Sequence, residues 1–197
     1  MQPEIEATFI NIDKDKLRAK LAALGGKLLQ KETLMQRTIF ELPGNQFARV
    51  RDEGNCITMT YKNVDARSLS GTKEINLKVD NYNAAVDFMV ACGIELKSHQ
   101  ETYREEWKLD DVECDIDTWP WLPTFVEIEG PSEESVKAAV SKLGFNMKNA
   151  HYSSVDDIYM LYYDITSTDV INRCPEIKFT PVPEWLESRR RPDQPQK

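Results

Sequence analysis

The chain has 197 residues, of which 41% are hydrophobic and 29% charged, and its formal net charge is −8. This composition is typical of a soluble globular protein, and the negative charge argues against DNA as a partner, since a phosphate backbone needs a basic surface. We find no apolar run long enough for a membrane helix and expect neither a signal peptide nor a membrane partner. The four cysteines lack metal-finger spacing, so we predict a cytoplasmic protein with reduced thiols.

The first half of the chain alternates between predicted strands and helices. Polar and apolar residues alternate over 4–10, and Asp13 can cap a helix that ends at Gly25–Gly26. A polar loop is predicted at 63–71. A second helix is predicted at 82–92, and further strands are predicted at 34–42, 47–52, 57–62 and 73–79.

The second half continues this pattern and then loses it. Helix 133–143 is predicted, and Ser153–Asp157 indicates the start of another helix. From about residue 166 the sequence is proline-rich and aperiodic and includes Arg189–Arg191, so we predict a domain at 1–165 and an extension at 166–197 that packs on it and has a frayed basic end. Strands are predicted at 100–109, 112–118 and 124–129. Many strands with few helices predict an α+β protein with an antiparallel barrel or strongly curved sheet.

Carboxylates recur two residues apart near both ends of the predicted domain. Glu4 and Glu6 form one pair, Glu127 and Glu129 form another, and Asp117 lies between them in the sequence. Side chains two apart in a strand point to the same face, so each pair directs two carboxylates into one space. Neighbouring strands of this kind would hold more negative charge than a protein interior tolerates without bound cations. The pattern therefore indicates a divalent-metal site.

Basic side chains share faces on other predicted strands, where Arg49 lies with Arg51 and is followed by Lys62. An exposed sheet mixes charges of both signs for cross-strand pairing, whereas here the signs are separated by strand. This separation favours a barrel interior in which a metal-binding wall faces a phosphate-binding wall. The alternative is a charged sheet face that simply meets water, as in many antiparallel sheets.

Aromatic residues near these strands allow two interpretations. They could stack a nucleobase, or they could close the end of the barrel as part of the core, which the segment TWPWLP favours. His99 and His151 are interpreted as structural or exposed, and not as catalytic. The aromatic candidates are Tyr103, Trp107, Trp119 and Trp121.

Several segments together resemble the CYTH family. They are EIEATF, ARVRDEGNCITMTYK, TKEINLKV, DIDTWPWLPTFVEIEG and HYSSVDDIY, in that order over residues 2–163. The family comprises the triphosphate tunnel metalloenzymes, including class IV adenylate cyclases and thiamine-triphosphatase-like hydrolases. The resemblance implies an eight-stranded antiparallel β-barrel with flanking helices, whose tunnel binds a triphosphate and Mg²⁺ or Mn²⁺.

The resemblance also implies roles for individual residues. The catalytic set is expected to combine the first acid pair with basic residues of the tunnel. Lys78 and Lys108 share the inferred inward face and are further phosphate-binding candidates. Glu74 and Asp115 are further candidate residues of the site. The implied metal ligands are Glu4, Glu6, Asp117, Glu127 and Glu129, the implied phosphate-binding residues are Arg49, Arg51, Lys62 and Arg104, and the implied catalytic residues are Glu4, Glu6, Arg49, Arg51 and Lys62.

Two positions depart from the family pattern. Thr8 stands where the family's ExExK motif has lysine, and Asn76 stands where many members have a glutamate. The resemblance favours a class IV cyclase that converts ATP to cyclic AMP and pyrophosphate. Alternatives are a hydrolase of tripolyphosphate, thiamine triphosphate or nucleotides, and a non-catalytic binder of triphosphates that has lost the lysine. The expected partner is a small triphosphate, and the protein is expected to be a monomer or a homodimer.

Overall fold

A sheet of ten strands curls around a central cavity in the computed structural model, which describes residues 2–64, 66, 68–152, 154–166, 169 and 174–192. The strands are β1 (Gln2–Glu4), β2 (Glu6–Phe9), β3 (Lys27–Glu41), β4 (Gln46–Asp52), β5 (Ile57–Val64), β6 (Thr72–Val79), β7 (Leu96–Leu109), β8 (Val112–Thr118), β9 (Phe125–Glu129) and β10 (Glu176–Ile177). The helices are α1 (Lys14–Ala23), α2 (Tyr82–Ala91), α3 (Glu133–Leu143), α4 (Val155–Tyr162) and α5 (Glu184–Glu187).

The strand order is β1-β6-β5-β4-β3-β7-β8-β9-β2, and every pair along it is antiparallel. The first and last strands of this order, β1 and β2, are separated in the chain by Ile5 alone. The Ile5 carbonyl accepts from the Gly130 N–H at 3.0 Å, and the Glu6 N–H donates to the Leu69 carbonyl at 3.0 Å. The sheet therefore curls until its two ends meet at Ile5, as the predicted antiparallel barrel requires.

The strand count differs from the predicted eight for two reasons. The first predicted strand is broken at Ile5, where its pairing changes from β6 to β9. A short unpredicted strand, β10, pairs in parallel with β7 and lies in the proline-rich extension. The predicted α+β class with helices flanking an antiparallel sheet is confirmed.

Apolar side chains on the outer face of the sheet pack against α1 and α3. Alternate residues of β8 and β9, such as Ile116 and Ile128, are buried there against Val136 and Val140 of α3. The helix begins at the Ser132 capping box, in which Ser132 and Ser135 each bond the other's backbone N–H. Burial of the outer face leaves the opposite, charged face of the same strands to line the cavity.

Residues 174–192 pack on the same sheet at another position. Ile177 and Leu186 are buried in a cluster with Trp119 and Tyr159. The basic residues 189–191 also make contacts. Arg190, for example, pairs with Glu187 and stacks on a tyrosine ring. Residues 193–197, at the predicted frayed end, lie outside the described residues.

In the part of the chain that the structure describes, every helix is too short or too polar to cross a membrane.

Candidate functional site

A cavity of about 970 Å³ lies inside the curled sheet, and most of the predicted site residues line it. Strand parity explains this, because alternate residues point to opposite faces of the sheet, and the charged face of each strand is directed into the curl. The opposite, apolar face is buried on β8 and β9 but partly exposed on β6. The predicted residues in the lining are Glu4, Glu6, Arg49, Arg51, Lys62, Glu74, Arg104, Asp115, Asp117, Glu127 and Glu129.

Two predicted phosphate-binding residues are not brought into this lining. Lys78 is exposed near the end of β6, and Lys108 forms an ion pair with Glu113, with 3.3 Å between Nζ and Oε1. Both have the parity of inward-facing neighbours but lie near strand ends outside the lining, although Glu113, the partner of Lys108, does line the cavity. Parity determines the face of the sheet on which a side chain lies and not its distance along the tunnel.

Three carboxylates form a cluster where β1, β2 and β9 meet. Glu6 lies directly opposite Glu129 in the strand register, and one oxygen each of Glu4, Glu6 and Glu129 lie within 4.8 Å of one another. Lys62 contacts this cluster, with 2.5 Å from its Nζ to Oε1 of Glu4. The other oxygen of Glu4, Oε2, is buried and has no hydrogen-bond partner among the residues that the structure describes. Among the described residues, Lys62 is the basic residue that pairs with this cluster, and one lysine does not balance three carboxylates, so the cluster is suited to a cation.

The pKa values of this cluster reflect the same excess of negative charge. Burial, followed by the charges of Glu127 and Glu4, raises the pKa of Glu6 well above its usual range. Burial and the charge of Glu4 also raise the pKa of Glu129 to about 7. A bound divalent cation would favour the ionised forms and reverse both shifts.

This arrangement predicts that, without metal, the free energy of unfolding of the wild-type protein depends more strongly on pH than that of the Glu129→Gln variant, because protonated Glu129 stabilises the folded wild type. The folded state binds a proton on Glu129 more tightly than the unfolded state does, so the stabilisation is present at low pH and lost as pH rises through about 7. Because Glu129 is partly exposed, solvent screening limits the expected loss to about 1 kcal/mol. Urea unfolding with EDTA at pH 5 and pH 8 measures it. Equal pH slopes in the two proteins would contradict the prediction.

A second group of acids surrounds Arg104 on β7. Its guanidinium lies 2.5 Å from Asp115 Oδ2, 2.5 Å from Asp117 Oδ2 and 2.6 Å from Glu127 Oε2. Burial acts to lower the pKa of Arg104, but Asp115 and Asp117 raise it well above its usual range. The five implied metal ligands therefore divide into two groups, because Asp117 and Glu127 are bound by Arg104.

The arginines of β3 and β4 form the remaining wall. Arg51 is held by Glu53, with 2.8 Å from Nη2 to Oε1, and Glu53 also accepts from the Thr58 hydroxyl at 2.6 Å. Arg49 differs, because its Nε is buried without a hydrogen-bond partner. Burial, followed by the charges of Arg51 and Arg104, lowers the pKa of Arg49 to about 9. This wall carries positive charge that the described residues do not fully neutralise.

Arg37 also lines the cavity and was missed by the sequence reasoning. It lies on β3 opposite Arg51 of β4. Its parity is shared by Ile39 and Glu41, which line the cavity as well. The alternation of β3 could have revealed it, but the apolar residues around it obscure which face is charged.

The aromatic candidates are engaged with protein groups. The Arg37 guanidinium carbon lies 4.6 Å from the centre of the Trp119 ring, and Trp119 is buried. Tyr103 packs against Phe179 with 4.8 Å between ring centres. The two other tryptophans donate their indole N–H groups, Trp107 to a glutamate and Trp121 to a backbone carbonyl. These contacts favour a structural role for all four.

The two positions that depart from the family pattern are neutral in the structure as well. Thr8 is buried on β2 directly opposite Glu127. Asn76 lines the cavity and accepts a hydrogen bond from Thr60 at 3.1 Å. Position 8 thus lies beside the acids of the Arg104 group and carries no charge of its own.

Further lining residues were not among the predicted site residues. Ser98 and Gln100 of β7 line the cavity, and the amide of Gln100 donates to the Ser98 hydroxyl at 2.9 Å. Cys174 and Ile177 of the extension line it too. No sequence motif identified these residues. The position of Cys174 and Ile177 depends on the pairing of β10 with β7, and that of Ser98 and Gln100 on the pairing of β7 with β3.

Comparisons with known proteins agree with the fold. A model of the CYTH domain matches residues 2–162. A Pyrococcus horikoshii protein is 21% identical, with a TM-score of 0.69 over 79% of this chain and 98% of its own. A proposed adenylate cyclase from Vibrio parahaemolyticus is 10% identical, with a TM-score of 0.69 over 81% of this chain and 98% of its own.

A proposed adenylyl cyclase from Hippeastrum, described as having a dominant triphosphatase activity, is 13% identical. Its TM-score is 0.51 over 92% of this chain and 98% of its own. No curated protein matches the chain. At these identities the likeness to the solved structures establishes the fold alone.

Proposed function

The chain belongs to the CYTH domain family, whose model spans residues 2–162, and from this premise we propose that its cavity binds a linear triphosphate with Mg²⁺ or Mn²⁺ and hydrolyses the terminal phosphate. One observation carries the proposal. A single cavity joins a wall of incompletely neutralised arginines to a cluster of carboxylates. A polyphosphate together with a divalent cation complements both parts, because the anion meets the arginines and the cation meets the acids.

The acid cluster fits a divalent cation. Mg²⁺ and Mn²⁺ prefer oxygen ligands, and Glu4, Glu6 and Glu129 each offer an oxygen within 4.8 Å of the others. The unpartnered Oε2 of Glu4 supports this fit, since a buried carboxylate oxygen without a donor is costly. Asp117 and Glu127 are the proposed additional ligands. A bound cation would supply a Lewis acid that neutralises charge on the phosphate oxygens.

The basic residues would bind and orient the triphosphate. Arg49 and Arg51 present planar guanidinium groups, which can hold phosphate oxygens through two hydrogen bonds each. Lys62 lies between the acid cluster and the arginine wall, because its strand β5 pairs with β4 and its Nζ contacts Glu4. These groups would also stabilise the negative charge that develops on the departing polyphosphate.

Hydrolysis is favoured over cyclisation by the state of the aromatic residues. A cyclase has to hold a nucleobase, and the ring of Trp119 inside the cavity is already covered by Arg37. Adenylate cyclase activity on ATP is the second candidate, and the cavity volume of about 970 Å³ favours it, since this exceeds the needs of a triphosphate alone.

One assay distinguishes these activities. The purified protein is incubated with tripolyphosphate or ATP and Mg²⁺ or Mn²⁺, and phosphate, pyrophosphate and cyclic AMP are resolved. We expect phosphate from tripolyphosphate and no product with EDTA. Formation of cyclic AMP and pyrophosphate from ATP would show that the protein is a cyclase and not a hydrolase. Triphosphate binding without any product would instead support a non-catalytic binder.

We expect Thr8→Lys to raise turnover about tenfold, an effect of about 1.4 kcal/mol on the barrier. The new ammonium would enter beside Glu127, which lies opposite position 8, and add a positive charge to the cavity. Initial rates with tripolyphosphate and Mg²⁺ measure the effect. Thr8→Met is the control, since it adds a long side chain without charge. Equal rates for the two variants would show that charge at this position is not limiting.

A further inference from the structure

We propose that Arg37 is an additional phosphate-binding residue of this chain and that it receives one end of the polyphosphate. The inference rests on the proposed function, because it assigns a part of the same cavity. Arg37 lies on β3 opposite Arg51 on one side and Gln100 on the other. It therefore stands between the arginine wall and the polar residues Ser98 and Gln100, which also line the cavity.

The guanidinium of Arg37 is held in position but is not satisfied. Its Nη2 donates to the Thr102 hydroxyl at 2.7 Å, and its planar group lies over the Trp119 ring at 4.6 Å. Its Nε is buried and has no hydrogen-bond partner within the described part of the chain. A guanidinium has five N–H donors, so the one acceptor that it has among the described residues leaves most of its capacity unused. The ring and the hydroxyl fix the group without supplying a negative charge.

The charges around Arg37 are predominantly positive. Burial, followed by the charges of Arg51 and Arg49, lowers its pKa well below the usual range. The carboxylate of Asp117 is close enough to oppose this shift, but it is bound by Arg104 at 2.5 Å. Among the residues that the structure describes, Arg37 has no ion pair, in contrast to Arg51 and Arg104.

A purely structural role would not require this charge. An apolar side chain of similar length could cover Trp119 without the cost of a buried, unpaired cation. The cost is recovered when an anion enters, because a phosphate can accept from the free edge of the guanidinium. A terminal phosphate carries the most negative charge in a linear polyphosphate and is therefore the proposed occupant.

The test compares Arg37→Met with the wild-type protein in EDTA, where metal binding and hydrolysis do not contribute. Tripolyphosphate affinity is measured by calorimetry, and the melting temperature is measured without ligand. We expect affinity to fall about tenfold or more and the melting temperature to rise by about 2–4 °C. The rise is expected because the variant removes an unpaired buried cation and keeps the contact with Trp119.

Arg18→Met is the matched control. Arg18 lies outside the cavity lining and is paired with Glu105, with 2.8 Å from Nη2 to Oε2. We expect this variant to melt at a lower temperature and to bind tripolyphosphate as the wild type does. The two variants are therefore expected to change the melting temperature in opposite directions, and only Arg37→Met is expected to lose affinity.

Each outcome bears on the proposal. Wild-type affinity in Arg37→Met, whatever its melting temperature, would overturn the role of Arg37 and leave the proposed function intact. A wild-type protein that does not bind tripolyphosphate even with Mg²⁺ would overturn both. If Arg37→Met does not fold, Arg37→Lys replaces it, since lysine keeps the charge and loses the planar fork. Its affinity is then expected to fall several-fold, and unchanged affinity would overturn the proposal.

Discussion

Glu6→Gln is expected to abolish most metal-dependent turnover and, at the same time, to stabilise the metal-free protein. Glu6 is one of three carboxylates whose oxygens lie within 4.8 Å of one another, and it faces Glu129 across the strand pair. Replacing it by the neutral isostere removes a third of the cluster's charge and one of its oxygen anions. We expect turnover of tripolyphosphate to fall about a hundredfold, corresponding to about 2.7 kcal/mol.

The stability change is expected to have the opposite sign. Burial and neighbouring carboxylates raise the pKa of Glu6 well above its usual range, so ionising it in the folded state is unfavourable at pH 8. Glutamine removes this cost, and the melting temperature in EDTA is expected to rise. Calorimetric titration with Mn²⁺ should show weaker binding at the same time, which provides a measurement independent of activity.

Glu134→Gln is the control for both measurements, because Glu134 is exposed on α3 and lies away from the cavity. It is expected to leave turnover, Mn²⁺ affinity and melting temperature close to their wild-type values. A Glu6→Gln protein that keeps wild-type Mn²⁺ affinity would remove Glu6 from the proposed metal ligands. A lower melting temperature in EDTA would contradict the electrostatic strain inferred for the cluster.

Arg104→Met is expected to be the most destabilising single change in the cavity. Its guanidinium contacts Asp115, Asp117 and Glu127 at 2.5–2.6 Å, and removing it leaves one buried and two half-buried carboxylates without this partner. Breaking a buried ion pair in this way costs about 3–5 kcal/mol. We expect a loss of this size in the free energy of unfolding at pH 8, measured by urea denaturation in EDTA.

The loss should depend on pH in a defined direction. Burial already raises the pKa values of Asp115 and Asp117 above their usual range with Arg104 in place, and it acts to raise that of Glu127, which Arg104 keeps low. Without Arg104 all three pKa values rise, so the folded state takes up protons at a higher pH. Stability lost at pH 8 is therefore expected to return in part near pH 5. Mn²⁺ should also restore part of it at pH 8, because a cation can take the place of the guanidinium. Arg104→Lys, which keeps the charge, should lose less than Arg104→Met, and a loss independent of pH would contradict this explanation.

The arginines of the cavity fall into two classes, those with a carboxylate partner in the protein and those with an unsatisfied donor. Arg51 and Arg104 have carboxylate partners in the protein, so their positions are fixed in the absence of a ligand. Arg37 and Arg49 each have a buried Nε without a hydrogen-bond partner. A protein tolerates such unsatisfied groups where something else completes them. The unpartnered groups therefore mark the proposed path of the phosphates better than the total charge does.

The sequence allowed much of this site to be predicted, because its signal is local. Alternation in short strands determines which side chains share a face, and this grouped Glu4 with Glu6 and Glu127 with Glu129. The class of sheet also follows from many short alternating segments, and the family resemblance supplied the barrel. The register of the strands and the position of each side chain along the cavity do not follow from the alternation, because they depend on which strands pair.

The features that could not be predicted depend on pairing between distant segments. The break at Ile5 arises from a change of partner strand, which alternation does not encode. β3 begins at residue 27 and not near 34, because its exposed, polar first part pairs with β7. Lys78 has the correct parity and lies outside the cavity, whereas Arg37 is flanked by apolar residues and lies inside it.

The position of β2 has a consequence for how the chain folds. Its pairing with β9, in which Glu6 lies opposite Glu129, joins the two most distant paired strands among the described residues. Closing so long a loop costs more entropy than forming the neighbouring hairpins, so this pair is expected to form late. Until it forms, β2 and β9 are free strand edges that can pair with another chain. Strand β2 is synthesised early but is therefore expected to join its partner late. During synthesis, the acid cluster cannot assemble before β9, which carries Glu129, has been made.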